Sequence, residues 1–564
     1  MTRPFSAALC ALNAKYVHSS LAPWCLLAGV RAFAPDIDAY VVEGTVNEPP
    51  ETVLERIASG APDVVTFSCY LWNIRQTLAL AEQLKHRLPG VCIALGGPEV
   101  SYCAERVLSE NPAVDFVLSG EGETSVPALL SCLAKGKAPS ADEVPGLCTR
   151  EYIAPPCVLS GEVPSPYTPE YFKALNGRIA YLETSRGCPF TCAFCLSGRC
   201  GAPRYFDLKG VYENILALAN SGAQTVKLID RTFNANPRHA NAILRFLLSH
   251  YGREIPAGVC FHFEIAGDIL TEETMELLAQ MPAGAVQLEI GMQSFCEKTL
   301  EAVRRKTNTE KLKANIRRLA AMGNMHIHID LIAGLPYEDV PTFAESFNTA
   351  YALGADMLQM GFLKLLHGAA MREEPQNFPC EFRSEPPYEV ISTPWLTAEE
   401  LEMLHGVEDA LERMVNSGRF QRTADYLMEC TGLTPFALFQ AIGKAAHEAG
   451  VASHGVALDE YTAFLLDTAP RLWQNVTREA LRDVMVCDRL ESNATGRLPL
   501  CLHIADPALG QTVKRLAALN PPRPGVRRGV AILYTERQAV YVDYENKNPK
   551  TGRFALRCVG LDAL

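Results

Sequence analysis

Cys188, Cys192 and Cys195 stand in the run Arg186-Gly-Cys-Pro-Phe-Thr-Cys-Ala-Phe-Cys, a C-x3-C-x2-C spacing with the aromatic Phe194 directly before the third thiol. Three thiolates on one short loop can hold three irons of a [4Fe–4S] cube, which leaves the fourth iron without a protein ligand. Electron-transfer clusters generally use four cysteines, so a site with three implies that a substrate completes the coordination. A structural zinc knot is the alternative, with Cys200 close enough in sequence to be a fourth ligand. Structural zinc sites usually pair two short hairpins of two ligands each, and no second pair lies nearby in the sequence. Core cysteines are the other alternative, but three thiols within eight residues on a loop with glycine and proline do not have buried-face spacing.

Other residues with chemical potential recur at the ends of apolar runs. In the first part of the chain these are Leu12-Asn13-Ala-Lys15-Tyr16-Val-His18, Ser68-Cys-Tyr-Leu-Trp-Asn73, Gly96-Gly97-Pro-Glu99 and Ser119-Gly-Glu121-Gly-Glu123. After the cysteines come Asp230-Arg231-Thr-Phe, His262-Phe-Glu264, Glu289-Ile-Gly-Met-Gln293-Ser294, Asp330-Leu-Ile-Ala-Gly334-Leu-Pro336 and Leu363-Lys364-Leu-Leu-His367-Gly. Glycines at such ends let the backbone approach a ligand closely, although a turn glycine explains each one taken singly.

The elements that must position these residues follow from periodicity. Strands are expected over 7–12, 39–42, 64–69, 91–95 and 116–118, with helices over 51–58 and 77–88 between them. That alternation predicts a doubly wound parallel sheet with ligands at the carboxyl ends of its strands. Prolines at 155, 156, 164, 166 and 169 mark a linker. A second series has strands over 179–184, 225–230, 261–265, 285–290, 326–331 and 357–363, separated by helices over 210–219, 240–248, 272–278, 310–321 and 341–352. Six βα units with a cysteine loop after the first strand describe a partial (β/α)6 barrel of TIM type, whose chemistry belongs at the carboxyl ends. The tail reads as mostly helical, over 397–416, 434–449 and 461–469, with a terminal hairpin of strands 530–535 and 538–544 around Glu536-Arg537. The expected division is therefore α/β with four parts: 1–140, a linker over 141–177, a barrel over 178–380 and a C-terminal region over 386–564.

At 564 residues the chain calls for several domains at roughly 150 residues each. The net charge of −12 argues against broad nucleic-acid binding, because there is no basic excess to neutralise phosphates. No signal peptide or apolar run of membrane-spanning length is read in the sequence, since Asn13 and Lys15 end the first apolar run. The 19 cysteines are scattered rather than arrayed as a framework. A cytoplasmic location and an anaerobic setting are expected.

Motif by motif, residues 1–380 resemble the radical S-adenosylmethionine (SAM) enzymes that carry an N-terminal cobalamin-binding domain, and the tail resembles an extra domain of a clostridial-type subgroup. The resemblance implies three cofactors: a [4Fe–4S] cluster on Cys188, Cys192 and Cys195 beside Phe194, SAM chelating the open iron, and cobalamin. It implies SAM contacts from Asp230, from Glu264 to the ribose hydroxyls, from Gln293 and Ser294 of the G-x-Q-S run, from Gly334 and Pro336 to adenine, and from Arg304 or Arg305 to the methionine carboxylate. It further implies corrinoid contacts from Asn13, Lys15, Ser68, Gly96, Gly97 and Glu121. The D-x-H-x-x-G signature of an axial histidine is absent, and His18 does not fit it. The implied activity is methyl transfer to an unactivated carbon through a 5′-deoxyadenosyl radical and methylcobalamin. The alternatives are a cyclisation or rearrangement without net methyl transfer and, in another class, a non-catalytic iron–sulfur or corrinoid sensor. Expected partners are a small-molecule or peptide substrate and a flavodoxin- or ferredoxin-type electron donor, with neither membrane nor nucleic acid.

Overall fold

The computed structural model describes residues 3–159, 161, 163–199, 201–451, 455–503 and 529–561. The chain divides into two compact units, Met1–Ile265 with Val303–Arg305 and Leu363–Val390, and Ala266–Ala302 with Lys306–Phe362 and Ile391–Leu564.

In the first unit, β1 (Ser6–Asn13), β2 (Asp38–Thr45), β3 (Val64–Ser68), β4 (Cys92–Gly96), β5 (Phe116–Leu118) and β6 (Leu147–Cys148) form one sheet in the order β2-β1-β3-β4-β5-β6. The first five are parallel and β6 is antiparallel to β5. Every residue of β1 and β3 is buried, the reason these strands read as continuous apolar runs rather than as alternation. The strand order reverses beside β1, and at such a switch point a ligand crevice opens outside the carboxyl ends. Helices Pro50–Ala58 and Ile74–Arg87 match the expected ones. Helices Ala22–Phe33 and Gly122–Ala134 were not visible in the pattern, because most of their residues are buried and little polar face interrupts them.

The strand expected over 179–184 is interrupted. It forms β7 (Ala180–Leu182) and then, past Asp230's grip on the backbone, β8 (Ser185–Arg186), which pairs antiparallel with β9 (Arg204–Tyr205). This short ribbon closes the base of the loop that carries the three cysteines. Gly187 starts the loop at φ 101°, and a Cβ there would lie 2.9 Å from the carbonyl oxygens of Gly201 and Ala202, so only glycine suits that position. β10 (Thr225–Leu228) pairs parallel with β7 and with β11 (Cys260–Ile265).

In the second unit, β12 (Val286–Gln293), β13 (His326–Ala333) and β14 (Met357–Phe362) continue the parallel pattern. Helices Thr309–Met322 and Val340–Tyr351 each begin with a side-chain cap, from Asn308 and Asp339. The C-terminal region holds helices Ala398–Leu411, Gln421–Thr431, Pro435–Glu448, Leu458–Leu472 and Arg478–Ser492. Strands Val530–Leu533 and Gln538–Lys547 form the expected hairpin, and a third strand, Phe554–Gly560, extends it. No residue of that last strand is buried, so no core face marks it as it marks the other two. No helix among the described residues is long and apolar enough to cross a membrane.

Candidate functional site

The cysteine loop is held by backbone hydrogen bonds from several directions. Cys188 N donates to Gly201 O at 3.3 Å, Ala193 N to Val303 O at 2.9 Å, and Met371 N to Ala193 O at 3.0 Å. Cys192 is buried while Cys188, Cys195 and Phe194 are half-buried. Thr232 Oγ1 lies 3.5 Å from Cys188 Sγ, Ser197 N donates to Cys195 Sγ at 3.4 Å, and Arg305 Nη1 donates to Cys192 Sγ at 3.8 Å. Burial pushes the Cys192 thiol above its ordinary pKa, and the Arg305 guanidinium opposes that rise. Among the described residues no three Cys, His, Asp or Glu side chains converge on a single point as a mononuclear ion requires. Cys200, the fourth ligand of the zinc alternative, lies outside the described residues.

The ribbon below the loop is anchored by buried charge. Arg186 donates to Glu183 at 2.7 Å and to Glu123 at 2.6 Å, and its guanidinium stands over the Phe206 ring. Burial alone would lower the pKa of Arg186, but the Glu183 and Glu123 carboxylates outweigh it and the net direction is upward. Arg204, opposite Arg186 in the ribbon, pairs with Glu121 and donates to Leu159 O at 2.7 Å. Glu121 is thus engaged by protein: it also accepts from Leu159 N at 2.7 Å.

Asp230 and Glu264, both named for SAM, sit differently. Asp230 is 1% exposed and accepts hydrogen bonds from Thr184 N, Thr184 Oγ1 and Ser185 Oγ. Burial lifts its carboxyl pKa to about 6, against the pull of those hydroxyls. It acts on the backbone that leads into the cysteine loop. Glu264, at the end of β11, is half-buried and pairs with Lys227 Nζ of β10 at 3.2 Å.

Of the two arginines weighed, Arg304 (φ 58°) turns to Glu374 and stacks its guanidinium 5.7 Å from the Phe378 ring centroid. Arg305 is the one on the cysteine loop.

In the second unit, Gln293 ends β12 at φ 74°, where the pairing with β13 slips. A left-handed backbone at a non-glycine residue is a local strain that surrounding structure must hold. Ser294 is buried and donates to Glu338 Oε1 at 2.7 Å, and Ser346 donates to the same oxygen at 3.0 Å. Gly334 (φ 91°) opens the turn after β13, and Pro336 O accepts from Thr299 Oγ1 at 2.8 Å. Glu338 is fully buried, its Oε2 has no hydrogen-bond partner among the described residues, and burial lifts its pKa to about 7. Its place two residues after the Gly-Leu-Pro turn was the only sequence signal for it.

At the carboxyl ends of the N-terminal sheet, Asn13 donates to Glu43 at 3.1 Å, Lys15 is exposed, and Ser68 is buried. Gly96 ends β4, and Gly97, at φ 103°, would carry a Cβ 2.6 Å from Cys69 O. Tyr16 and Trp72 are 61% and 50% exposed, with Trp72 stacked on Tyr70. Large exposed aromatics beside a sheet's ligand crevice suit a broad flat ligand such as a corrin. His18 Nδ1 lies 2.6 Å from Tyr181 Oη of β7.

Known proteins bear on this geometry. The family model for the B12 binding domain matches residues 9–130, that for the Radical SAM superfamily 182–350, and that for Protein of unknown function (DUF4080) 376–520. A 2-(S-pantetheinyl)-carbapenam-3-carboxylate methyltransferase of Streptantibioticus cattleyicolor is 27% identical over 58% of this chain and 51% of its own length. The hopanoid C-3 methylase of Methylococcus capsulatus is 26% identical over 46% of this chain and 50% of its own length. The anaerobic magnesium-protoporphyrin IX monomethyl ester cyclase of Rubrivivax gelatinosus is 25% identical over 59% and 62%. The chain spans about half the length of the first of these curated relatives. Among solved structures, the cobalamin-dependent SAM radical enzyme OxsB aligns over 85% of this chain and 78% of its own, with TM-score 0.62 and 13% identity. The radical SAM methyltransferase TsrM from Kitasatospora setae aligns over 66% and 76%, with TM-score 0.55 and 16% identity; both likenesses are of fold. A B12 binding domain, a cysteine loop within a Radical SAM match and a DUF4080 segment thus occur together in this chain, the domain set of a cobalamin-binding radical SAM protein.

Proposed function

We propose that the chain is a cobalamin-dependent radical SAM methyltransferase acting on an unactivated carbon of a small-molecule or peptide substrate. In this reading it works in the cytoplasm and takes electrons from a flavodoxin- or ferredoxin-type donor. The observation that carries the reading is the ribbon under the cysteine loop, which Arg186 and Arg204 tie to Glu123 and Glu121 at the carboxyl end of β5 in the B12 binding domain. A loop built for an open-iron cluster is thereby held against a domain built for a corrinoid.

When bound, the cluster supplies the electron that cleaves SAM reductively, and cobalamin carries the methyl group. Cys188, Cys192 and Cys195 would hold three irons, with Arg305 donating toward the Cys192 sulfur. Glu264 would accept the ribose hydroxyls, since a carboxylate takes two donors at once. Gln293, Gly334 and Pro336 would present polar backbone and side-chain groups to the rest of SAM. Asn13, Lys15, Ser68, Gly96 and Gly97 would meet the corrinoid, beneath the cover of Tyr16 and Trp72. Asp230, Ser294 and Glu121 act one step back, by holding the elements that carry these groups.

A ring-forming reaction without net methyl transfer is the second reading, favoured by the cyclase relative. Product mass separates the two, because methylation adds one methylene unit. The test of the cofactor set is anaerobic reconstitution with iron, sulfide and hydroxocobalamin, followed by desalting and metal analysis. About four irons and one cobalt per chain are expected. A retained iron cluster with no cobalt would remove the methyl carrier and overturn the methyltransferase reading.

A further inference from the structure

The segment Leu363–Val390, which follows β14 in the chain, belongs to the first unit. It touches the cysteine loop and the N-terminal sheet at once. On one side, Met371 N donates to Ala193 O at 3.0 Å and Arg199 Nε donates to Gly368 O at 2.8 Å. On the other, Tyr388 Oη donates to Glu99 Oε1 at 2.5 Å and Arg106 bonds His367 Nε2 at 3.0 Å.

Both partners of the Tyr388–Glu99 bond are buried, at 2% and 5% exposure. The tyrosine backbone is at φ 58°, which bulky residues seldom adopt. Its own amide bonded to Glu385 O and its carbonyl bonded by Leu365 N hold it there. The Arg372 guanidinium covers one side of the Tyr388 ring at 4.6 Å, and the His367 ring meets it edge-on at 5.0 Å. His367 is the acceptor for Arg106: burial, with Arg372 and Arg106 nearby, lowers its pKa to about 4 and keeps it neutral.

Glu99 ends the Gly96-Gly97-Pro98-Glu99 turn, whose other end lies against the carboxyl end of β3 through Cys69 N bonded to Gly96 O at 2.7 Å. Glu99 N also donates to Cys69 O at 3.3 Å, so the backbone at both ends of the turn bonds Cys69, and the Tyr388 hydroxyl holds the Glu99 side chain. We propose that Tyr388 and Glu99 are positioning residues for cobalamin: their hydrogen bond sets the glycine turn that meets the corrinoid, and the same segment references that turn to the cysteine loop. This rests on the cobalamin reading above. It assigns the stretch around the start of the DUF4080 segment a task, the alignment of one cofactor's turn with the other cofactor's loop.

The test uses the full chain, reconstituted anaerobically, with hydroxocobalamin titrated and followed by its visible spectrum. Tyr388→Phe and Glu99→Ala are expected to bind hydroxocobalamin about five- to ten-fold more weakly, with a shifted spectrum, while iron content stays at the wild-type level. Glu99→Gln keeps an oxygen that accepts from Tyr388 and is expected to bind near the wild-type level. The double variant should be no weaker than either single one, since both remove the same bond. Binding and spectra within about two-fold of wild type in both Tyr388→Phe and Glu99→Ala would overturn the inference. If Tyr388→Phe does not fold, the contrast between Glu99→Ala and Glu99→Gln decides alone. Wild-type chain that takes up no hydroxocobalamin would overturn the cobalamin reading itself, a result visible before any variant is made.

Discussion

Arg186 Nη2 donates to Glu123 Oε1 at 2.6 Å, joining the strand two residues before the first cluster cysteine to the first turn of helix Gly122–Ala134. Both side chains are withdrawn from water, at 13% and 5% exposure. Their interaction therefore has little solvent screening, and loss of Glu123 leaves Arg186 with Glu183 at 2.7 Å and Glu121 at 3.6 Å as its remaining carboxylates.

Glu123→Ala is accordingly expected to cost about 1–3 kcal/mol of stability, less than the about 3–5 kcal/mol of a fully stranded buried charge, because Glu183 still pairs with Arg186. Urea denaturation of the metal-free chain measures it. A cost below about 0.5 kcal/mol, the level of a surface substitution, would show that Glu183 alone satisfies the arginine.

The cysteine loop makes a separate prediction about ligand number. Cys188→Ala, Cys192→Ala and Cys195→Ala should each lose most of the iron on anaerobic reconstitution, whereas Cys200→Ala should retain it. Retention of zinc by wild type, with its loss in Cys200→Ala, would restore the four-thiolate alternative.

Arg304 and Arg305 are neighbours with unlike tasks. Arg305 donates to the Cys192 sulfur, and hydrogen bonds to ligand sulfurs raise a cluster's potential. Arg305→Ala should shift the midpoint to more negative values by on the order of tens of millivolts, read by EPR-monitored titration. Arg304→Ala breaks a half-exposed pair with Glu374 and a contact with the Phe378 ring, and should change stability by about 1 kcal/mol, with the potential unmoved. Equal shifts from the two variants would contradict this division.

Glu338 gives a pH dependence with a definite sign. Its folded pKa, about 7, lies above the ordinary value of 4.5 because burial penalises the carboxylate. A raised pKa means that its contribution is fully present below the ordinary value and is lost as pH rises through about 7. Wild type should thus lose on the order of 2–3 kcal/mol between pH 5 and pH 8 relative to Glu338→Gln, which does not titrate. Melting curves of both proteins across that range check it, and parallel pH profiles would refute the assignment.

Much of the architecture was legible because its causes are local. Apolar runs of strand length, glycines at their ends and proline punctuation located the parallel strands to within a few residues. Helices such as Ala22–Phe33 escaped because burial on nearly all sides removes the polar face that shows the helical period. The strand Phe554–Gly560 escaped for the opposite reason, since none of its residues is buried and no core face shapes its sequence.

The candidate site divides along the same line. By itself the sequence determined the cysteine loop, because the three thiols lie within eight residues and need only a short closed loop to act together. Only the tertiary structure shows which protein groups each strand-end carboxylate meets. Glu264, Asp230 and Glu121 look equivalent as residues at strand ends, yet Asp230 is enclosed by Thr184 and Ser185, Glu121 is engaged by Arg204, and half-buried Glu264 meets only the single cation of Lys227 among the ion pairs of the described residues. It also chose Arg305 over Arg304 for the cluster sulfur, and paired Glu99 with Tyr388 across 289 residues of chain. A hydrogen bond is a matter of ångströms between groups that the chain order leaves far apart, and residue type cannot say whether an acceptor's donor will be protein or ligand.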